Sequence, residues 1–110
     1  MKKLILAIIL FTSFTINSQK IYVVDSQFKA DIKVYVVDSQ FKADLLVFKV
    51  NSQFKAGDND GKWFFVNSQF KSKKKIFFVN SQFKADLKIY FVSSQFKAGW
   101  KESSKKYLLY

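Results

Sequence analysis

The sequence predicts an all-β fold, a compact repeat of short strands and tight corners, and two observations carry that reading. The tetrapeptide Ser-Gln-Phe-Lys begins at Ser26, Ser39, Ser52, Ser68, Ser81 and Ser94, at intervals of 13, 13, 16, 13 and 13 residues. Such regularity is the mark of one supersecondary unit used repeatedly. Between the tetrapeptides run β-branched and aromatic residues, as in Ile32-Lys33-Val34-Tyr35-Val36-Val37 and Leu87-Lys88-Ile89-Tyr90-Phe91-Val92, with no proline anywhere in the chain. These runs have strand composition.

In chain order, the first element is an export signal. Lys2 and Lys3 precede an apolar run from Leu4 to Phe11, followed by a mixed stretch ending at Ser18. That order is a secretory signal peptide over 1–18, with an apolar run too short to span a bilayer. Cleavage after Ser18 leaves a single domain, 19–110, exported to the periplasm or beyond and without a membrane span. Its 17 lysines face 8 acidic residues, a net charge of +9, and the chain has no Arg, His or Cys. Without arginine, bidentate reading of phosphates or guanine edges has no carrier, so specific nucleic-acid recognition is not expected, whereas general attraction to polyanions is. Without cysteine, the fold has neither disulfides nor a Cys-ligated zinc site to hold it, and 12 of the chain's 14 Phe, with its 5 Tyr and 2 Trp, supply the apolar mass instead.

Each repeat unit then follows one plan. A residue at Asp25, Asp38, Asn51, Asn67, Asn80 or Ser93 precedes the tetrapeptide and favours an Asx-type turn or one capped helical turn. Lysines at Lys33, Lys49, Lys75 and Lys88 give the strands a wetter face or guard their edges. Thirteen is odd and strands alternate with period two, so each corner must reset the register. About seven residues between strands leave no room for a helical crossover of the usual kind. The longer interval contains Gly57-Asp58-Asn59-Asp60-Gly61, which divides the array into halves 26–57 and 68–99. This segment is read as a hairpin-type turn with its bend at Asp60-Gly61. Aligned as a calcium loop it would place Ala56 and Asn67 at the first and last ligand positions, where carboxylates are needed, so no metal is expected there.

The recurring Val-[Asp/Asn]-Ser-Gln-Phe-Lys-Ala-Asp and the ending Ala98-Gly99-Trp100-Lys101-Glu102-Ser103-Ser104-Lys105-Lys106 resemble the Septknot family of small bacterial repeat proteins of unknown function. The resemblance covers residues 20–107. It implies a compact β-rich fold whose backbone is deeply knotted, in a seven-crossing torus knot. The duplication makes such a path intelligible if repeats one to three wind around a ring and repeats four to six wind again between them, leaving two interlaced three-repeat halves. The fourth copy departs from the pattern, with Ser72-Lys73 in place of Ala-Asp.

Candidate sites are few. Phe28, Phe41, Phe54, Phe70, Phe83 and Phe96 are read as the packed core of the repeat rather than as a binding ladder. The lysines that follow them are expected to point outward and to pair with Asp31, Asp44 and Asp86, or to dock anionic envelope polymers. Lys71, Lys73, Lys74 and Lys75 make the strongest local patch for such a polyanion. No catalytic constellation, metal set or cofactor motif is present: with neither His nor Cys, and with the recurring Ser and Asp explained as corners, an enzyme is not expected. The functional expectation is an exported, monomeric structural or binding protein with weak affinity for anionic envelope or extracellular polymers. A self-assembling β matrix fibre and a small cationic toxic protein are the alternatives.

Overall fold

The computed structural model describes residues 18–110, so the expected signal peptide, 1–18, lies almost wholly outside the described residues. Six strands form a ring: β1 (Lys20–Val23), β2 (Ile32–Val36), β3 (Leu45–Lys49), β4 (Lys62–Phe65), β5 (Lys74–Phe78) and β6 (Leu87–Phe91). Around the ring the order is β1, β5, β2, β6, β3, β4, and the β3–β4 pairing closes it. Every pair in the ring is parallel. Strands of the first half therefore alternate with strands of the second, and the halves are interlaced throughout. A short β7 (Gly99–Trp100) adds antiparallel to β3, and a 3-10 helix, Ser103–Leu109, ends the chain.

The register explains how corners this short join parallel strands. Val23 at the end of β1 pairs with Ile76 of β5, and Ile76 pairs on its other side with Ile32, the first residue of β2. The next crossing repeats the geometry, with Val36 opposite Ile89 and Ile89 opposite Leu45. The stagger thus brings the end of each strand level with the start of the next. The chain need only step sideways over one intervening strand, roughly 10 Å at two inter-strand spacings, and the long return that makes a parallel crossover costly does not arise.

Each step is one turn of 3-10 helix at the tetrapeptide, Gln27–Lys29 in the first copy and its equivalents in the other five. The serine before it is extended and its hydroxyl accepts from the phenylalanine N–H at 3.2–3.3 Å in all six copies. Five of the six corners pack on the strand they cross: first on β5, second on β6, fourth on β1, fifth on β2, sixth on β3, while the third lies against β4. Both ends of the first corner are tied to that strand, Val24 N–H to the Ile76 carbonyl at 2.8 Å and Asp31 N–H to the Lys75 carbonyl at 2.7 Å.

The aspartates of the Ala-Asp pairs complete these crossings. Asp31 Oδ2 accepts from Lys75 N–H, Asp44 Oδ2 from Lys88 N–H and Asp86 Oδ2 from Lys33 N–H, at 2.8–2.9 Å. Each of the three also donates its own N–H to the carbonyl of that same lysine. A reciprocal clip thus fastens each of these corners to the strand beneath. The expectation that these aspartates pair with the corner lysines is corrected, because their carboxylates are committed to main-chain donors. Asp44, which is buried and also holds Lys105 Nζ at 3.2 Å, should be the most costly to remove. Asp44→Ala is expected to lower stability by about 2–3 kcal/mol and the exposed Asp86→Ala by about 1 kcal/mol in urea unfolding.

The core is a stack inside the ring. The fifth residue before each repeat serine, namely Ile21, Val34, Val47, Trp63, Ile76 and Ile89, is fully buried in all six copies. Two positions earlier stand Gln19, Ile32, Leu45, Gly61, Lys74 and Leu87, and this end is sealed by Leu109 of the C-terminal helix, whose carbonyl accepts from Gln19 Nε2 at 3.0 Å. Inward positions recur identically although the repeat is odd, so the corner does reset the register.

The repeat phenylalanines are not in that core, and the expectation for Phe28, Phe41, Phe54, Phe70, Phe83 and Phe96 is overturned. They are 81–90% exposed. The strands alone fill the ring, and each phenylalanine sits at the middle of a turn that already lies outside it. The Gly57–Gly61 segment also differs from a hairpin turn. It is tight, with Asn59 at φ 60° and Gly61 at φ 92°, but it joins β3 to a parallel neighbour.

Candidate functional site

The corners form the most repetitive surface of the molecule. Each shows an exposed phenylalanine followed by an exposed lysine, and clefts open beside several of them. One such cleft lies between Asp38 and Lys42 of the second copy and Asn80–Phe83 of the fifth. Its equivalent lies between Asp25 and Lys29 of the first copy and Asn67–Phe70 of the fourth. Aromatic, amide, hydroxyl and ammonium groups therefore recur around the girdle at fixed spacing.

Charge does not recur so evenly. Lys29 pairs with Asp25 at 3.2 Å and Lys42 with Asp38 at 3.1 Å, each four residues apart and well exposed. The Lys42 ammonium, first through its hydrogen bond and then through its charge, holds the Asp38 carboxyl below its ordinary value. In the other four copies the residue before serine is Asn51, Asn67, Asn80 or Ser93, so Lys55, Lys71, Lys84 and Lys97 have no acid at that position. Among the described residues none of these four makes an ion pair. Because the sixth, third and fourth corners lie on β3, β4 and β1, which are consecutive in the ring, Lys97, Lys55 and Lys71 occupy three successive corners. They make a basic arc of three successive corners, each lysine preceded by an exposed phenylalanine, Phe96, Phe54 and Phe70.

The run Lys71, Lys73, Lys74 and Lys75 is spread over different surroundings. Lys71 is exposed at its corner, whereas Lys73, Lys74 and Lys75 are half-buried. Lys74 and Lys75 are successive residues of β5, so alternation sends them to opposite faces of the sheet. Only Lys71 joins the arc. Lys55 and Lys97 are among the corner lysines expected to point outward; what sets them apart in the sequence is the amide or hydroxyl residue four positions earlier, where Lys29 and Lys42 have an aspartate.

A second feature occupies the barrel end opposite Leu109. The third residue before each repeat serine, Val23, Val36, Lys49, Phe65, Phe78 and Phe91, contributes to a depression of about 410 Å3 at the strand C-termini. The Lys49 ammonium lies 4.6 Å from the Phe91 ring centre and 5.5 Å from that of Phe65.

A family model described as the 7(1) septoil knot domain matches residues 18–101, from the start of the ring to β7. The chain belongs to the Septknot family. The match takes in all six corners of this Septknot domain and both features just described, and ends just before the C-terminal helix that plugs the ring. No curated protein and no solved structure matches the chain. Among the described residues of the Septknot domain there is no cluster of three or more acidic, His or Cys side chains arranged to hold a metal ion. No helix among them is long and apolar enough to cross a membrane.

Proposed function

We propose that this Septknot chain is an exported, monomeric, non-enzymatic binding domain whose basic arc docks weakly on anionic polymers of the cell envelope or extracellular matrix. The observation that carries the reading is the arc itself: three successive corners present Lys97, Lys55 and Lys71 with no acid among their ion-pair partners, each beside an exposed phenylalanine. Exposed lysines alone are ordinary solvation. What distinguishes these corners is recurrence: a large exposed aromatic stands beside the lysine at every one of them, so each offers apolar contact next to its positive charge. Export rests on the leader-like residues 1–18, and the knotted path on family membership together with the interlaced strand order. The three corners of the arc lack the aspartate clips but are tied to neighbouring strands by main-chain bonds, Val66 and Lys73 N–H to the Ile21 and Lys20 carbonyls, Val50 N–H to the Trp63 carbonyl and Val92 N–H to the Val47 carbonyl, so they lose little freedom on binding. A closed ring leaves few strand edges to seed a fibre, which speaks against the matrix reading.

The test is retention on immobilised heparin at low salt. The protein of residues 19–110 should be retained and elute at moderate ionic strength, and the triple variant Lys55→Gln, Lys71→Gln, Lys97→Gln should elute markedly earlier than the double variant Lys29→Gln, Lys42→Gln. Absence of retention at low salt, or equal shifts for the two variants, would remove the arc as a docking surface.

A further inference from the structure

The two ends of the ring are unlike. One is sealed by Gln19 and Leu109. The other ends in a shallow bowl with one side chain from each of the six strands, and its floor is the fully buried layer that includes Ile21, Trp63 and Ile76. Five of the six rim residues are apolar: Val23, Val36, Phe65, Phe78 and Phe91. The sixth is Lys49, at the place where the first two copies carry valine.

That lysine is not merely a charged residue at an edge. A lysine at a strand end ordinarily extends its ammonium into water, yet here the ammonium lies over the Phe65 and Phe91 rings. Aromatic faces attract a cation without neutralising it, and among the described residues Lys49 has no carboxylate partner. The bowl therefore combines an apolar lining, a closed floor and a single uncompensated positive charge held above it. Its volume is at the small end of the range for ligand sites, and barrel mouths are among the places where such sites occur.

We propose that the mouth of the ring binds a small apolar monoanion, a short alkyl or aryl group bearing one carboxylate, with the carboxylate on Lys49 and the apolar group against Phe65, Phe78 and Phe91. The closed floor limits the ligand to what the bowl itself accommodates, so a long acyl chain would leave most of its length in water. Charge complementarity selects the anion: a neutral or cationic amphiphile of the same shape finds the apolar wall but either leaves the ammonium uncompensated or meets it in repulsion. This site is separate from the basic arc and does not depend on it.

The experiment is a methyl NMR titration of the protein of residues 19–110 with octanoate, benzoate, 1-octanol and octylammonium, following Val23 and Val36. Octanoate or benzoate should shift these methyls saturably, and the more effective of the two identifies the apolar group as alkyl or aryl. Octanol should bind at least about tenfold more weakly and octylammonium should not bind. Lys49→Val installs the residue of the first two copies and should weaken carboxylate binding about tenfold while leaving octanol binding unchanged; Lys49→Gln serves the same purpose should the valine variant not fold. The triple corner variant should keep full carboxylate binding, which separates this site from the arc. No saturable shift at the rim with either carboxylate, equal affinity for octanoate and octanol, or undiminished carboxylate binding in the Lys49 variants would each overturn the proposal.

Discussion

Trp63→Ala is expected to lower the stability of this domain by about 3–5 kcal/mol, whereas Phe83→Ala should change it by no more than about 0.5 kcal/mol. Trp63 is the largest side chain of the fully buried layer and packs edge-on against Phe65, with ring centres 6.0 Å apart. Its removal leaves a void at the centre of a ring of six hydrogen-bonded strands, which cannot easily collapse inward. For a domain of this size the loss amounts to a fall in thermal midpoint on the order of 20 °C. Trp63→Phe should cost less than alanine, because the indole N–H has no hydrogen-bond partner and its replacement breaks none. Phe83 is 90% exposed, so its truncation removes little packing. Thermal unfolding of the three variants decides the matter: a large loss for Phe83→Ala, comparable with that for Trp63→Ala, would place the corner phenylalanines back in the structural core.

Gly61→Ala is expected to be the most damaging single-methyl addition, at about 3 kcal/mol or more, with outright failure to fold an acceptable form of the same result. Two independent costs combine. Gly61 has φ 92°, which an L side chain rarely adopts, and a Cβ there would lie 2.4 Å from the Leu46 carbonyl oxygen and 2.9 Å from the Gly99 nitrogen. Both neighbours are backbone atoms of paired strands and have little room to yield. Gly99→Ala is the control: it too has a left-handed φ, 150°, but a Cβ would meet nothing within 4 Å, so only the conformational cost applies. Urea unfolding of the two variants should show the Gly61 change as clearly the larger, and near-equal effects would mean that steric crowding at the β3–β4 junction matters little.

That junction also sets the topology. The chain steps over one strand at each of the other strand-to-strand connections of the ring, but from β3 it moves to the adjacent position. Three double steps would bring the fourth strand back to the place of the first. The single step, made by the longer 16-residue interval and its tight left-handed Asn59 and Gly61, shifts the second circuit so that its strands fall between those of the first. The insert in the sequence is therefore the device that interlaces the halves.

Much of this was legible beforehand. The repeat spacing, the β-branched and aromatic runs, and the Asx or serine residue before each corner determined by themselves that the protein is an all-β array of strands and capped turns, divided into two halves, because these are local preferences of the chain. The resemblance in the repeat and its Ala98-Gly99-Trp100 ending led to the right family. The destination of the repeated phenylalanines was not legible: a recurring aromatic fits a core or a surface equally well until the ring is closed and its interior is seen to be filled by the strands alone. The clips of Asp31, Asp44 and Asp86 were likewise invisible, since each main-chain partner lies more than 40 residues away. The arc of Lys97, Lys55 and Lys71 and the Lys49 bowl arise from strand order, which brings copies six, three and four side by side and gathers one residue from every strand at the same end. Local sequence determined the units; only the closure of the ring, a long-range pairing of strands, decided which of their side chains face one another, which face the core and which face water.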